Sequence, residues 1–86
     1  MLSILICCST VSYQKIAIDS PYELIALEDS LINAGLSKKN QKALALAHKN
    51  IALMQMKKRE YVNAKSHFSN VLNYSSDDST AQYNIF

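Results

Sequence analysis

Residues 60–72 read Glu60-Tyr61-Val62-Asn63-Ala64-Lys65-Ser66-His67-Phe68-Ser69-Asn70-Val71-Leu72, and the spacing within them decides the fold class. Tyr61, Ala64, Phe68, Val71 and Leu72 stand at i, i+3, i+7, i+10 and i+11, which is one face of a helix. Asn63, Lys65, Ser66, His67, Ser69 and Asn70 fall between them. So clean a split predicts a helix lying on a core with its back to water, starting near Glu60.

Upstream, only Lys58 and Arg59 separate this helix from a second one. A link that short sets neighbouring helices antiparallel. The second helix is expected from a cap at Ser37 or Asn40 to about Lys57, with Leu44, Ala47, Ile51 and Met54 as its inner stripe. Its other side carries Lys49, Leu53, Met56 and Lys57, with Asn50 at the margin.

Further upstream, Ser20-Pro21-Tyr22-Glu23 has the makings of a helix start. Ser20 can cap, Pro21 loses no needed N–H, and Glu23 can complete a capping box. One helix is expected to run from there to Ala34, with Leu24, Leu27, Leu31 and Ala34 as its stripe and Gly35 as a left-handed terminus. Downstream, residues 75–79 form a polar loop rich in capping side chains. Thr80 to Phe86 then opens a fourth helix of about two turns, too short to be stable alone. The expected fold is therefore all-α, with three helices and the start of a fourth.

Composition agrees. The 86 residues include one Gly and one Pro, too few turn-formers for a sandwich or barrel. Hydrophobic content of 49% is that of a globular chain and argues against disorder. The net charge is +2, but Lys38, Lys39, Lys42, Lys49, Lys57, Lys58, Arg59 and Lys65 hold eight of the nine bases. Such a basic middle is either a solvated surface or a contact for acidic partners.

Residues 1–19 read as a separate apolar N-terminal segment and 20–86 as the helical domain. Met1 to Val11 is too short to span a bilayer as a helix. It suits the apolar region of a signal peptide cleaved after Ser12, although no base precedes it, and equally a segment packed on the first helix. A signal would make the chain exported or membrane-associated; otherwise it is cytoplasmic. A lipid anchor on Cys8 is a further reading, as Leu5-Ile6-Cys7-Cys8 loosely resembles a lipobox. Cys7 and Cys8 are adjacent, which disfavours a disulfide between them, and they supply no zinc pattern.

An internal period adds to this reading. Ala47-His48-Lys49-Asn50-Ile51 returns 34 residues later as Ala81-Gln82-Tyr83-Asn84-Ile85. With that period, Ile51-Ala52, Tyr61, Ala64-x-x-x-Phe68 and Val71 resemble the tetratricopeptide repeat. The best-matching unit covers about 45–78, and the next begins near 79. Departures are His48 for the usual Trp, Gln55 for Tyr, Arg59 for the turn Gly and Ser76 for the closing Pro. The helix at 21–34 does not fit the pattern in register.

The resemblance implies an α-solenoid fragment of antiparallel helix pairs. Ala47, Ile51, Ala52, Tyr61, Ala64, Phe68 and Val71 would form its core. Repeats of this kind stack because one unit cannot bury its apolar face alone. The resemblance also implies a protein-interaction scaffold whose inner groove takes a peptide or partner protein. Lys49, Asn50, Leu53, Met56, Lys57, Tyr83 and Asn84 would line that groove. Self-association would be one way to complete it.

No phosphate loop, nucleophile elbow or metal-protease motif is present, so the sequence points to no enzyme and no cofactor. His48 reads as a packed core residue, His67 as solvated, and Asp77 and Asp78 as helix caps. The alternatives are an electrostatic binder of nucleic acid or anionic surfaces through 38–65, or the sensory region of a larger signalling protein. Aromatic residues are not interleaved with those bases, which weighs against nucleic acid.

Overall fold

A computed structural model describes residues 13–85 in backbone and residues 13–83 in side chains. The apolar run at Met1–Val11, both cysteines and the expected cleavage point after Ser12 lie outside the described residues. Those residues form six α-helices: α1 (Tyr13–Asp19), α2 (Pro21–Ala26), α3 (Glu28–Asn33), α4 (Gln41–Lys57), α5 (Tyr61–Tyr74) and α6 (Ser79–Ile85). No strand occurs among them.

Two of these helices correct the sequence reading. α1 falls in the segment set apart as 1–19, yet Ala17 is fully buried with Leu24, Leu31, Ala43, Leu44 and Ala47. Residues 13–19 therefore pack as part of the helical body. The single helix expected at 21–34 is instead α2 and α3, which meet at Leu27. There the Leu27 N–H reaches back only to the Leu24 carbonyl, a tight turn, and the Leu27 carbonyl starts α3 by accepting from Leu31. The break takes Leu27 and Ala34 off the expected stripe, and both are exposed. The Ser20–Glu23 capping box does not form. The Ser20 N–H already donates to the Ile16 carbonyl at 2.7 Å, so Glu23 has nothing to complete.

The remaining punctuation is close to the expectation. α3 ends in a Schellman motif: the Leu36 N–H donates to Leu31 O and the Gly35 N–H to Ile32 O, with Gly35 at φ 74°. Asn40 precedes α4, but its side chain donates to the Leu36 carbonyl at 2.9 Å rather than accepting from the helix. α4 and α5 form an antiparallel pair joined by a second Schellman turn. There the Glu60 N–H donates to Gln55 O, and Arg59 sits at φ 64°.

α4 is the central element. Ala43, Leu44, Ala45, Ala47, His48, Ile51, Ala52 and Gln55 are all buried, because α1 and α2 cover one side and α5 the other. Burial at 55 rather than 54 explains why Met54, expected on the inner stripe, is 38% exposed. The second core joins Ala45 and Ala52 of α4, Ala64, Phe68 and Val71 of α5, and Ala81 of α6. Tyr61, expected in that core, is 56% exposed. It is the first residue of α5, at the hairpin tip, and the first inward position of the helix is Ala64.

Candidate partner-binding face

Lys42, Leu46, Lys49, Leu53 and Met56 follow one another at helical spacing along α4, on a side that the two cores cover only in part. Its N-terminal half faces the loop that follows α5. Lys42, Leu46 and Lys49 on one wall and Tyr74 to Asp78 on the other line a concavity of about 650 Å³.

Asp78 closes that concavity. Its Oδ1 accepts the Ala81 N–H at 3.0 Å, which caps α6, and its Oδ2 accepts from Lys49 Nζ at 3.1 Å. Burial pushes the Asp78 carboxyl up. The backbone donation from Ala81 and the hydrogen bond and charge of Lys49 outweigh it, so the group titrates below its ordinary range.

The sequence-predicted binding residues thus have distinct surroundings. Lys49 is half-buried and held by Asp78. Asn50 is half-buried and donates from Nδ2 to the Ala17 carbonyl of α1 at 3.0 Å, so it fastens the chain's own helix. Leu53 is 40% exposed and Lys57 fully on the outside, while Met56 packs partly on the second core. Tyr83 on α6 is 82% exposed. The side chain of Asn84 lies outside the described residues. The structure adds Lys42, Leu46 and Tyr74 to this face.

Behind the concavity lies a polar cluster that sequence reasoning missed. His48 is buried, and its two ring nitrogens have partners on two other helices. Nε2 lies 3.0 Å from Glu28 Oε2 on α3, and Nδ1 lies 2.8 Å from His67 Nδ1 on α5. Tyr74 donates its hydroxyl to the same Glu28 oxygen and stacks its ring on His48, with centroids 6.1 Å apart. His67 is accordingly half-buried, not solvated, and Glu28 stands beside the pair. Burial lowers the His67 pKa from 6.5, the His48 ring adds to the effect, and Glu28 opposes it. Burial, the bond to Glu28 and the charges of Glu28 and Asp29 push the Tyr74 phenol up, so it remains a donor.

One signal for part of this cluster was present. His67 and Tyr74 are seven residues apart, two turns of one helix, on either side of the inward-facing Val71. Nothing in the sequence ties Glu28 to them. His48 is enclosed and Glu28 is occupied twice, so the cluster fastens helices rather than presenting a reactive group. Among the described residues no group of three or more His, Cys, Asp or Glu side chains is arranged to hold a metal ion. Nor is any described helix long and apolar enough to cross a membrane. No protein-family model matches this chain, and no curated protein or solved structure does.

Proposed function

We propose that this chain is a tetratricopeptide-type piece of a helical array that binds a peptide or partner protein and performs no catalysis. The observation that carries the reading is the second core. Phe68 and Val71 of α5 pack in the same cluster as Ala45 and Ala52 of α4 and Ala81 of α6. α5 is thereby sandwiched between consecutive helices, the arrangement that stacked repeats require. Ala47 and Ala81, one period apart, are both fully buried. Small residues there allow close helix approach, and the exposed Leu53 and Tyr83 are left as apolar anchors.

A second reading has one observation in its favour. Lys38, Lys39 and Lys42 line a groove of about 440 Å³ with Tyr13 and Gln14, which suits a polyanion. Salt separates the two, since binding through phosphate neutralisation weakens steeply as salt rises. The test is to select linear peptides from a random display library on the full chain. The affinities of the selected peptides are then measured at low and moderate salt. On our reading they persist in salt and fall at least about tenfold in Leu53→Asp and Tyr83→Ala, as loss of a central anchor does. Failure to select any peptide, or peptides indifferent to both substitutions, would refute it. A steep salt slope with DNA or RNA would favour the second reading.

A further inference from the structure

We infer that the His48–His67 contact is an acid-sensitive latch between α4 and α5, on which the seating of Glu28 from α3 depends. The geometry of the contact limits how many protons it can hold. The Nδ1 atoms are 2.8 Å apart, which leaves room for one hydrogen between them. On its other edge His48 Nε2 must donate, because its partner is a carboxylate oxygen that also accepts from Tyr74. With no added proton, His67 Nδ1–H donates to a bare His48 Nδ1. A first added proton is accommodated: it enters at His67 Nε2, and the hydrogen between the rings moves to His48, whose charge faces Glu28. A second cannot be. Two N–H groups would then point at each other across the same gap, and the contact must open.

Glu28 Oε2 is held jointly by His48 of α4 and Tyr74 of α5, so parting the two rings draws its two partners apart and loosens α3. It has six residues, too few to hold helical form alone, and Leu31 is its buried side chain. Its backbone packs chiefly on α2, so Glu28 supplies its polar link to α4 and α5. The groups facing the pair are Glu28 and, at longer range, Asp29 from α3, together with Tyr74 from α5. The tyrosine is pushed above its ordinary range by burial and by its bond to Glu28.

The sign follows. His67 is held below its usual range, so the closed form resists the proton that an open form accepts. Stability is present above about pH 6.5 and is lost as pH falls below that value. These are the chain's two histidines, so proton uptake on opening between pH 5 and 6 belongs to them. The open pair holds up to two protons and the closed pair one, so net uptake approaches one and the open-to-closed ratio rises toward about tenfold for each unit of pH lost.

The experiment is hydrogen exchange of the full chain, followed at the amides of residues 30–36 from pH 7.5 to 5 and corrected for intrinsic exchange. The expected result is opening that steepens below pH 6.5 toward about tenfold per unit. His67→Asn offers His48 Nδ1 an amide N–H or, after a flip of the amide, its oxygen, so a proton on His48 is accommodated without opening and the slope should flatten. His48→Phe keeps an aromatic ring on Tyr74 and serves as a second non-titrating variant. A wild-type slope near zero across this range overturns the latch, as does an undiminished slope in a folded His67→Asn chain.

Discussion

Arg59→Gly should stabilise this protein, although Arg59 touches nothing that glycine would improve. Arg59 is the turn residue of the Schellman motif between α4 and α5, at φ 64°. An L-residue with a Cβ in that region costs about 1–2 kcal/mol. The exposed guanidinium makes no hydrogen bond or ion pair among the described residues that could repay it. Glycine removes the steric cost but enlarges the freedom of the unfolded chain, which takes back about 0.4–1 kcal/mol. The net gain is about 0.5–1 kcal/mol, or a rise in Tm of roughly 2–8 °C for a chain of this size. Thermal melts followed by helical circular dichroism read it directly, and Gly35→Ala provides the reverse control. Gly35 occupies the same position at the end of α3, at φ 74°, and a Cβ there would meet nothing within 4 Å. Any loss at Gly35 is therefore conformational, and it should be about 1 kcal/mol. If Gly35→Ala costs that much while Arg59→Gly lowers or fails to move Tm, the strain attributed to the α4–α5 turn is not there.

Three further substitutions test the packing. Gln55 is buried with its Oε1 unpartnered, so Gln55→Met, which keeps the volume, should raise the urea midpoint by an amount equivalent to about 1 kcal/mol. Phe68→Ala empties the centre of the second core and should cost about 3–5 kcal/mol. That is a large share of the roughly 4–13 kcal/mol a chain of this length holds, and much of the population should be unfolded by circular dichroism at 37 °C. Asp78→Ala removes the α6 cap and the tie to Lys49, costing about 1–2 kcal/mol at neutral pH. The folded Asp78 titrates below the 3.8 of the free group, so its contribution is present above that pH and lost as pH falls through the folded range. Urea midpoints from pH 6 to 2.5 should therefore converge for wild type and variant.

What could be read from the sequence was what periodicity encodes. Ala64, Phe68 and Val71 were legible as core because they recur on one stripe of an unbroken helix. Gly35 was legible because one residue type suits its backbone. Helix α1 was not, because Tyr13 to Asp19 is only seven residues long and follows an apolar run that invites a different reading. Leu27 was misplaced because periodicity assumes an unbroken helix, and the helix breaks just before Glu28, whose partners are distant. Those partners lie 20 and 46 residues away in the chain, beyond the reach of any local pattern. Tyr61 failed for a complementary reason: a motif position gives a slot, whereas burial depends on what packs beside it. At the candidate face, Lys49, Leu53 and Tyr83 were named from the repeat. Tyr74 and the loop to Asp78 came only from the way α5 returns beside the start of α4.

That return gives Tyr74 two roles, with a consequence for binding. Its side chain lines the concavity of the candidate face, and its hydroxyl ends on the Glu28 oxygen that also receives His48. A peptide packed against Tyr74 in its present position favours the closed arrangement of Glu28 and His48. Anything that favours the closed form must in turn bind more weakly where acid has opened it, by the same factor in free energy. Affinity for a selected peptide should then fall between pH 7 and 5 in the wild-type chain. It should hold constant in His67→Asn, where the rings no longer compete for a second proton. Tyr74→Phe should bind nearly as well at pH 7, because the ring remains against the groove, yet show little of that pH dependence, because the ring no longer reports to Glu28. If Tyr74→Phe keeps the full dependence, the groove and the histidine pair titrate side by side without being coupled through this residue.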